Sequence, residues 1–140
     1  MKLLIAETRD IATCQEIRHT VFTVEQGISR EDDIDGLDEA ATHLLALDDG
    51  REIGTVRFLE NGTVGKIGRL AVLIEYRGQG VGKALVVAAL QVLANRHHLT
   101  EARLGAQTSA IGFYEALGFT PEGEEFMDAG LPHREMVHPL

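Results

Sequence analysis

The sequence predicts an α+β (mixed α/β) chain, and three observations carry that prediction. Two hairpin dipeptides, Asp49-Gly50 and Asn61-Gly62, separate three runs of strand-forming residues. An apolar run from Ile67 to Ile74 leads through a glycine-rich turn into a long helical pattern. A further strand pattern, Ala102 to Ala106, is again followed by helical spacing. An antiparallel meander joined to strand–helix–strand units makes a mixed sheet with helices packed on it.

Each element follows from its residues. Residues 2–7 read as a first strand. Asp10 can cap a helix over roughly 10–24, because Ile11, Cys14, Ile17, Val21 and Phe22 recur at helical spacing. Gly27 and the acids up to Asp38 read as a loop with one short helical turn. Strands 43–47, 53–59 and 64–73 follow, joined by the two dipeptides, whose central positions favour φ > 0. The helix of about 81–96 has Val81, Leu85, Ala88, Ala89, Val92 and Leu93 on one side, widened by Val86, Val87 and Leu90. So broad an apolar surface implies packing against the sheet and a neighbour together. Strand 102–106 leads to a helix that Ser109 could cap and Gly118 could end. Residues 119–138 read as a strand, a loop and a last strand around Glu135–His138. Without repeats or linkers, residues 1–140 are expected to form a single domain.

Composition limits the function classes. A net charge of −9 argues against nucleic acid or an anionic membrane as partner. Cys14 is the single cysteine and has no internal disulfide partner. The N-terminal apolar run meets Glu7 too soon for a signal peptide, and no stretch approaches the ~18–20 apolar residues of a membrane span. A cytoplasmic protein is expected. Charge is also unevenly spread. Glu25 to Glu39 holds seven acids and one base, whereas Lys66 to Lys83 holds four bases and one acid. The acidic segment reads either as a solvated loop or as an entrance for a cationic ligand.

The most specific segment is Arg77-Gly78-Gln79-Gly80-Val81-Gly82, between strand and helix. Glycines there let successive backbone N–H groups converge, and the helix start adds unpaired donors and a positive dipole end. Such a turn suits a phosphate or pyrophosphate, with Arg77 and Lys83 beside it. A Walker A loop fails, because Arg77 stands where its first glycine belongs and Ala84 where its hydroxyl belongs. The dinucleotide pattern G-x-G-x-x-G fails at its last glycine, which falls on Lys83 or Leu85. The pattern Q/R-x-x-G-x-G/A fits in full at Arg77, Gly80 and Gly82.

With Arg69-Leu70-Ala71-Val72 before it and Phe113-Tyr114-Glu115-Ala116-Leu117-Gly118-Phe119 downstream, this loop resembles the GNAT acyltransferase superfamily. Val24-Glu25-Gln26-Gly27, His43, Lys66-Ile67-Gly68-Arg69 and Gly130-Leu131-Pro132-His133 are similar to a branch of small bacterial members. The resemblance spans essentially the whole chain. It implies a central, mostly antiparallel twisted sheet flanked by helices, the GNAT acyl-CoA N-acyltransferase fold, with acetyl-CoA as co-substrate.

What the resemblance implies can be placed residue by residue. Leu70, Ala71 and Val72 would bond the pantetheine arm through their backbone. Arg77, Gly78, Gln79, Gly80, Val81, Gly82 and Lys83 would take the phosphates. Gln107 stands where many members have an asparagine that contacts the cofactor. Tyr114 would act as general acid toward the departing thiolate. Simple core packing is the alternative for Leu70, Val72 and Tyr114. The general base stays open, since Lys66 to Leu73 contains no carboxylate. Glu25, Glu31, Asp33, His43 and His133 are the candidates, with Glu31, Asp33 and His43 expected on the acceptor side. Glu31, Asp33, Asp35 and Gly36 partly mimic a calcium loop, but Thr42 replaces its bidentate glutamate, so no metal is expected.

The expected function is transfer of acetyl from acetyl-CoA to a primary amine of a small molecule or peptide, in a ternary complex. A non-catalytic acyl-CoA-binding sensor is the alternative, and a nucleotide-phosphate binder or hydrolase a further one that the failed Walker spacing counts against. Sheet pairing in such folds also allows a homodimer.

Overall fold

In the computed structural model, which describes residues 1–140, strands β1 (Leu3–Thr8), β2 (Thr42–Asp48), β3 (Arg51–Asn61) and β4 (Val64–Val72) form the expected antiparallel meander. Asp49 and Gly50 both take left-handed φ, 47° and 89°, as their dipeptide predicts. The second turn sits one residue later than expected. Asn61 still pairs with Val64, so Gly62 (φ 60°) and Thr63 form the two-residue loop. A turn with glycine at its first central position needs φ > 0 only there.

Strands β5 (Glu101–Gln107), β6 (Thr120–Asp128) and β7 (Leu131–Pro139) complete one sheet in the order β1-β2-β3-β4-β5-β7-β6. Only β4 and β5 pair in parallel. β7 is longer than the sequence suggested because it is central, bonded to β5 on one side and β6 on the other.

Asp10 caps α1 (Ile11–Arg18), accepting from Thr13 N at 3.1 Å. The expected single helix then widens into π turns over His19–Glu25. The acidic loop contains α2 (Arg30–Asp33), capped by Ser29, and a 3₁₀ turn at Asp38–Ala40. The main helix α3 (Val81–Ala94) stops two residues short of expectation. The last helix, α4 (Ile111–Glu115), follows a 3₁₀ turn at Thr108–Ala110, and Ser109 makes no capping bond. Gly118 ends that region at φ 97°, with its N–H on Glu115 O.

Apolar residues sort to the two sheet faces. Val56, Phe58, Ile67, Leu85, Leu93 and Met136 belong to the larger core, under α3. Cys14, Ile17, Val21, Leu45 and Ala71 form a smaller one, under α1. Gly65 fixes how closely α3 approaches β4, since a Cβ there would meet Leu93 Cδ2 at 2.6 Å. Leu93 is fully buried and has nowhere to move. Gly65→Ala is expected to lower the unfolding free energy by about 1–3 kcal/mol through overpacking, measured by urea titration.

Two features of β4 open the sheet. Its pairing with β5 ends at Lys66 and Arg103, beyond which the strands part. A bulge also puts Arg69 and Leu70 opposite Val56, with Arg69 at φ 56°. The sequence suggested a regular strand here, and periodicity alone carries no sign of the bulge.

Candidate active site

The gap between β4 and β5 runs into two cavities that share Gln26, Leu70 and Phe113 as walls. The smaller, about 430 Å³, lies over the glycine turn and is lined by Arg77, Gly78, Gly80, Val81, Gly82 and Lys83. Gly78 and Gly80 take φ of 73° and 82°, and a Cβ on either would meet nothing within 4 Å. Those glycines therefore serve backbone shape rather than close packing. The first bond back to the turn runs from Ala84 N to Gly80 O. The N–H groups of the opening turn of α3 consequently have no intrahelical partner. A concave turn with free donors, a helix N-terminus and Lys83 fits a diphosphate.

Neither long side chain of the turn points into that space as a free donor. The Arg77 guanidinium is paired with Glu25 and donates to Val72 O at 3.0 and 3.1 Å. Gln79 folds back to Glu75 O at 3.1 Å. Backbone groups and Lys83 are the donors the turn offers to an anion. Leu70 and Val72 line the smaller cavity, whereas the Ala71 methyl is buried in the core under α1.

The larger cavity, about 490 Å³, lies on the α1 face of the sheet over β4, β5 and β7. One wall is a buried ion network that sequence reading missed. Arg18 bonds Asp33 and Asp38 at 3.1 and 2.7 Å. Arg57 bonds Asp35 and Asp38 at 2.5 and 2.8 Å. Arg69 reaches Asp33 and Asp35 at 3.1 and 3.2 Å. Bonding to Arg57 holds the Asp35 carboxyl down at about 2. Burial alone would raise Asp38, but bonds from Arg18, Gln15 and Arg57 outweigh it and hold it well below the carboxylate range. The network ties the acidic loop to β3 and β4 and braces Arg69 in its left-handed conformation. The Asp33–Asp38 half of the acidic segment is thus neutralised internally. An arginine within the apolar run of β3 was the available signal, because a buried arginine requires carboxylate partners.

The expected acceptor-side residues are dispersed. Asp33 lines the larger cavity but is committed to Arg18 and Arg69. Glu31 is exposed and lines neither cavity. His43 is 3% exposed, donates from Nε2 to Asp38 O at 2.7 Å, and also lies outside both.

Gln107, Tyr114 and His133 do meet in the larger cavity. Gln107 donates to Gln26 Oε1 at 3.4 Å. Tyr114 packs edge-on against Phe113 and Phe119, with centroids 4.9 and 5.8 Å away. Desolvation pushes its phenol up to about 12, so the hydroxyl stays protonated and can serve as a donor or acid. Phe126, which carried no sequence signal, stacks on His133.

Comparison with known proteins agrees with this geometry. The profile of the acetyltransferase (GNAT) domain family matches residues 12–140. A Bacillus subtilis protein provisionally named an acetyltransferase is 38% identical over 132 residues, covering 92% of this chain and 89% of its own. The uncharacterised N-acetyltransferase YjcF of Bacillus subtilis is 33% identical, covering 98% and 99%. The crystal structure of an acyl-CoA N-acyltransferase from Pseudomonas aeruginosa superposes with a TM-score of 0.88 at 28% identity, over 98% and 99% of the two chains. A mixed sheet split beside a glycine turn, and these matches across its length, lead to one assignment: the chain belongs to the GNAT family of acetyltransferases.

Proposed function

We propose that the protein transfers acetyl from acetyl-CoA directly to a primary amine while both are bound. The observation that carries this reading is the junction of the two cavities at the β4–β5 gap, with Gln26, Leu70 and Phe113 common to both. A diphosphate on the glycine turn would leave a thin amide-bearing arm to lie along the unpaired edge of β4, as added strands do. The thioester would then reach the larger cavity. Acetyl-CoA supplies an activated acyl carbon. The chain's own contribution is to hold it, to offer backbone N–H groups toward its carbonyl oxygen, and to present Tyr114 as proton donor to the leaving sulfur. The acceptor side is walled by Leu37, Leu59 and Phe126 beside a self-neutralised ion network, which suits an amine with apolar carbon next to it.

A screen of amines for thiol release from acetyl-CoA tests the reading, with coenzyme A titration beside it. Gly82→Val serves as the blocking variant. A Cβ at Gly82 already lies 3.6 Å from Phe113, and further methyl groups would enter the smaller cavity. The expected result is transfer to at least one primary amine, thermal stabilisation by coenzyme A, and loss of both in Gly82→Val. Wild-type protein that coenzyme A does not stabilise would sink the proposal. Tight binding with no turnover on any amine would identify a sensor instead.

A further inference from the structure

We infer that His133 is the group that accepts the proton of the acceptor amine. The inference rests on the transferase reading above and supplies the base that β4 lacks.

The argument starts from the tautomer. His133 Nδ1 lies 2.8 Å from Leu131 O. A carbonyl oxygen can only accept, so Nδ1 carries the hydrogen. In the neutral ring Nε2 then holds the lone pair, and no protein group bonds it. His133 lines the larger cavity and is 9% exposed.

Its orientation is fixed from two sides. In register, His133 faces Gln107 on β5 and Phe126 on β6. The imidazole stacks on Phe126, with centroids 5.8 Å apart and planes 27° apart. Phe126 occupies the space above Gly105, where a Cβ would come within 3.3 Å of its ring. Leu131 O holds the other side. A base locked by packing and a hydrogen bond on its far nitrogen is preorganised for one proton.

The other ionisable groups around the cavity are less suited. Asp33, Asp35, Arg57 and Arg69 are consumed in the ion network. Lys66 offers donors and no acceptor, and Tyr114 is a phenol that burial keeps protonated. Asp32 and Asp128 also line the cavity but are exposed, with no partner that fixes either carboxylate, and Glu135 lies 4.0 Å from Arg103. Of the remaining sequence candidates, Glu25 is paired with Arg77, while Glu31 and His43 lie outside the cavity.

The step balances as follows. An ammonium R–NH₃⁺ gives one proton to His133 Nε2, and its nitrogen lone pair forms the N–C bond to the acyl carbon. The C–S bond breaks, the sulfur keeps the electron pair, and Tyr114 protonates it. The amide nitrogen sheds a second proton, which restores the tyrosine, and His133 returns its own to solvent. The products are amide, free thiol and one released proton.

The test compares wild type with His133→Ala and His133→Gln on an alkylamine found by the screen, across pH. Both variants should lose about 100-fold or more in kcat near neutral pH while binding coenzyme A as the wild type does. The deficit should shrink as pH rises. It should shrink likewise with a weakly basic amine such as methoxyamine, which is already neutral. Nitrogen-15 NMR of the wild-type imidazole should show protonated Nδ1 and pyridine-like Nε2. A deficit independent of pH and of amine basicity, or the opposite tautomer, overturns the inference alone. Wild-type silence toward every amine overturns the transferase reading and this inference with it.

Discussion

Asp38→Ala is expected to lower the unfolding free energy by about 3–5 kcal/mol, a large share of the roughly 5–15 kcal/mol of a typical domain. The size follows from what the carboxylate serves. Asp38 accepts from Arg18 at 2.7 Å and from Arg57 at 2.8 Å, with all three side chains at most 7% exposed. Gln15 adds a third bond at 3.0 Å. Removing the carboxylate leaves two almost fully buried guanidinium groups short of a partner. Asp38→Asn keeps an acceptor oxygen and should recover part of the loss. Urea titration measures both, and a change below about 1 kcal/mol for the alanine variant, the scale of an exposed pair, would contradict this account.

The same network predicts how stability responds to acid. The folded values of Asp35 and Asp38 are depressed below the ordinary 3.8, to about 2 for Asp35 and further for Asp38. A depressed carboxyl contributes stability that is fully present above its unfolded value and disappears as pH falls through its folded value. Wild-type stability should therefore decline from near pH 4 downward, and the Asp38→Ala curve should be flatter across that window.

Tyr114→Phe is expected to reduce kcat by about 100-fold while leaving coenzyme A affinity and thermal stability near wild type. The ring keeps its edge contacts with Phe113 and Phe119, and the hydroxyl makes no hydrogen bond to protein. In the proposed mechanism, what is lost is one proton donor to the departing sulfur. Because burial pushes the phenol to about 12, ionisation of Tyr114 should add no alkaline limb to the wild-type pH–rate profile below that region. A kcat for Tyr114→Phe within a few-fold of wild type would remove the acid role and leave the ring as packing.

Local chemistry explains what was legible in the residues alone. Asp49-Gly50, the glycine turn and Asp10 each act within a few residues, so their backbone consequences can be read directly. The spread of apolar residues over 81–94 announced a helix buried on a broad face for the same reason. Where the reading slipped, two conformations were locally equivalent. Gly62 supplies the left-handed residue of either hairpin type, and Ser109 lost its capping role to a 3₁₀ turn.

The larger cavity was far less legible, because its groups come from distant segments. The acidic run looked like a solvated entrance until Arg18, Arg57 and Arg69 were found threaded into it from α1, β3 and β4. His43 and His133 looked alike as isolated histidines. One is committed through Nε2 to Asp38 O, and the other lines the cavity with no protein partner on its Nε2.

By itself, then, the sequence determined the family, the order of elements and the glycine turn, since each depends on residue type at short spacing. Only the tertiary structure decided which charges cancel, where β4 bulges and parts from β5, and which nitrogen of which histidine remains open. Those outcomes depend on contacts between residues tens of positions apart, where desolvation and pairing act on groups the chain brings together only when folded.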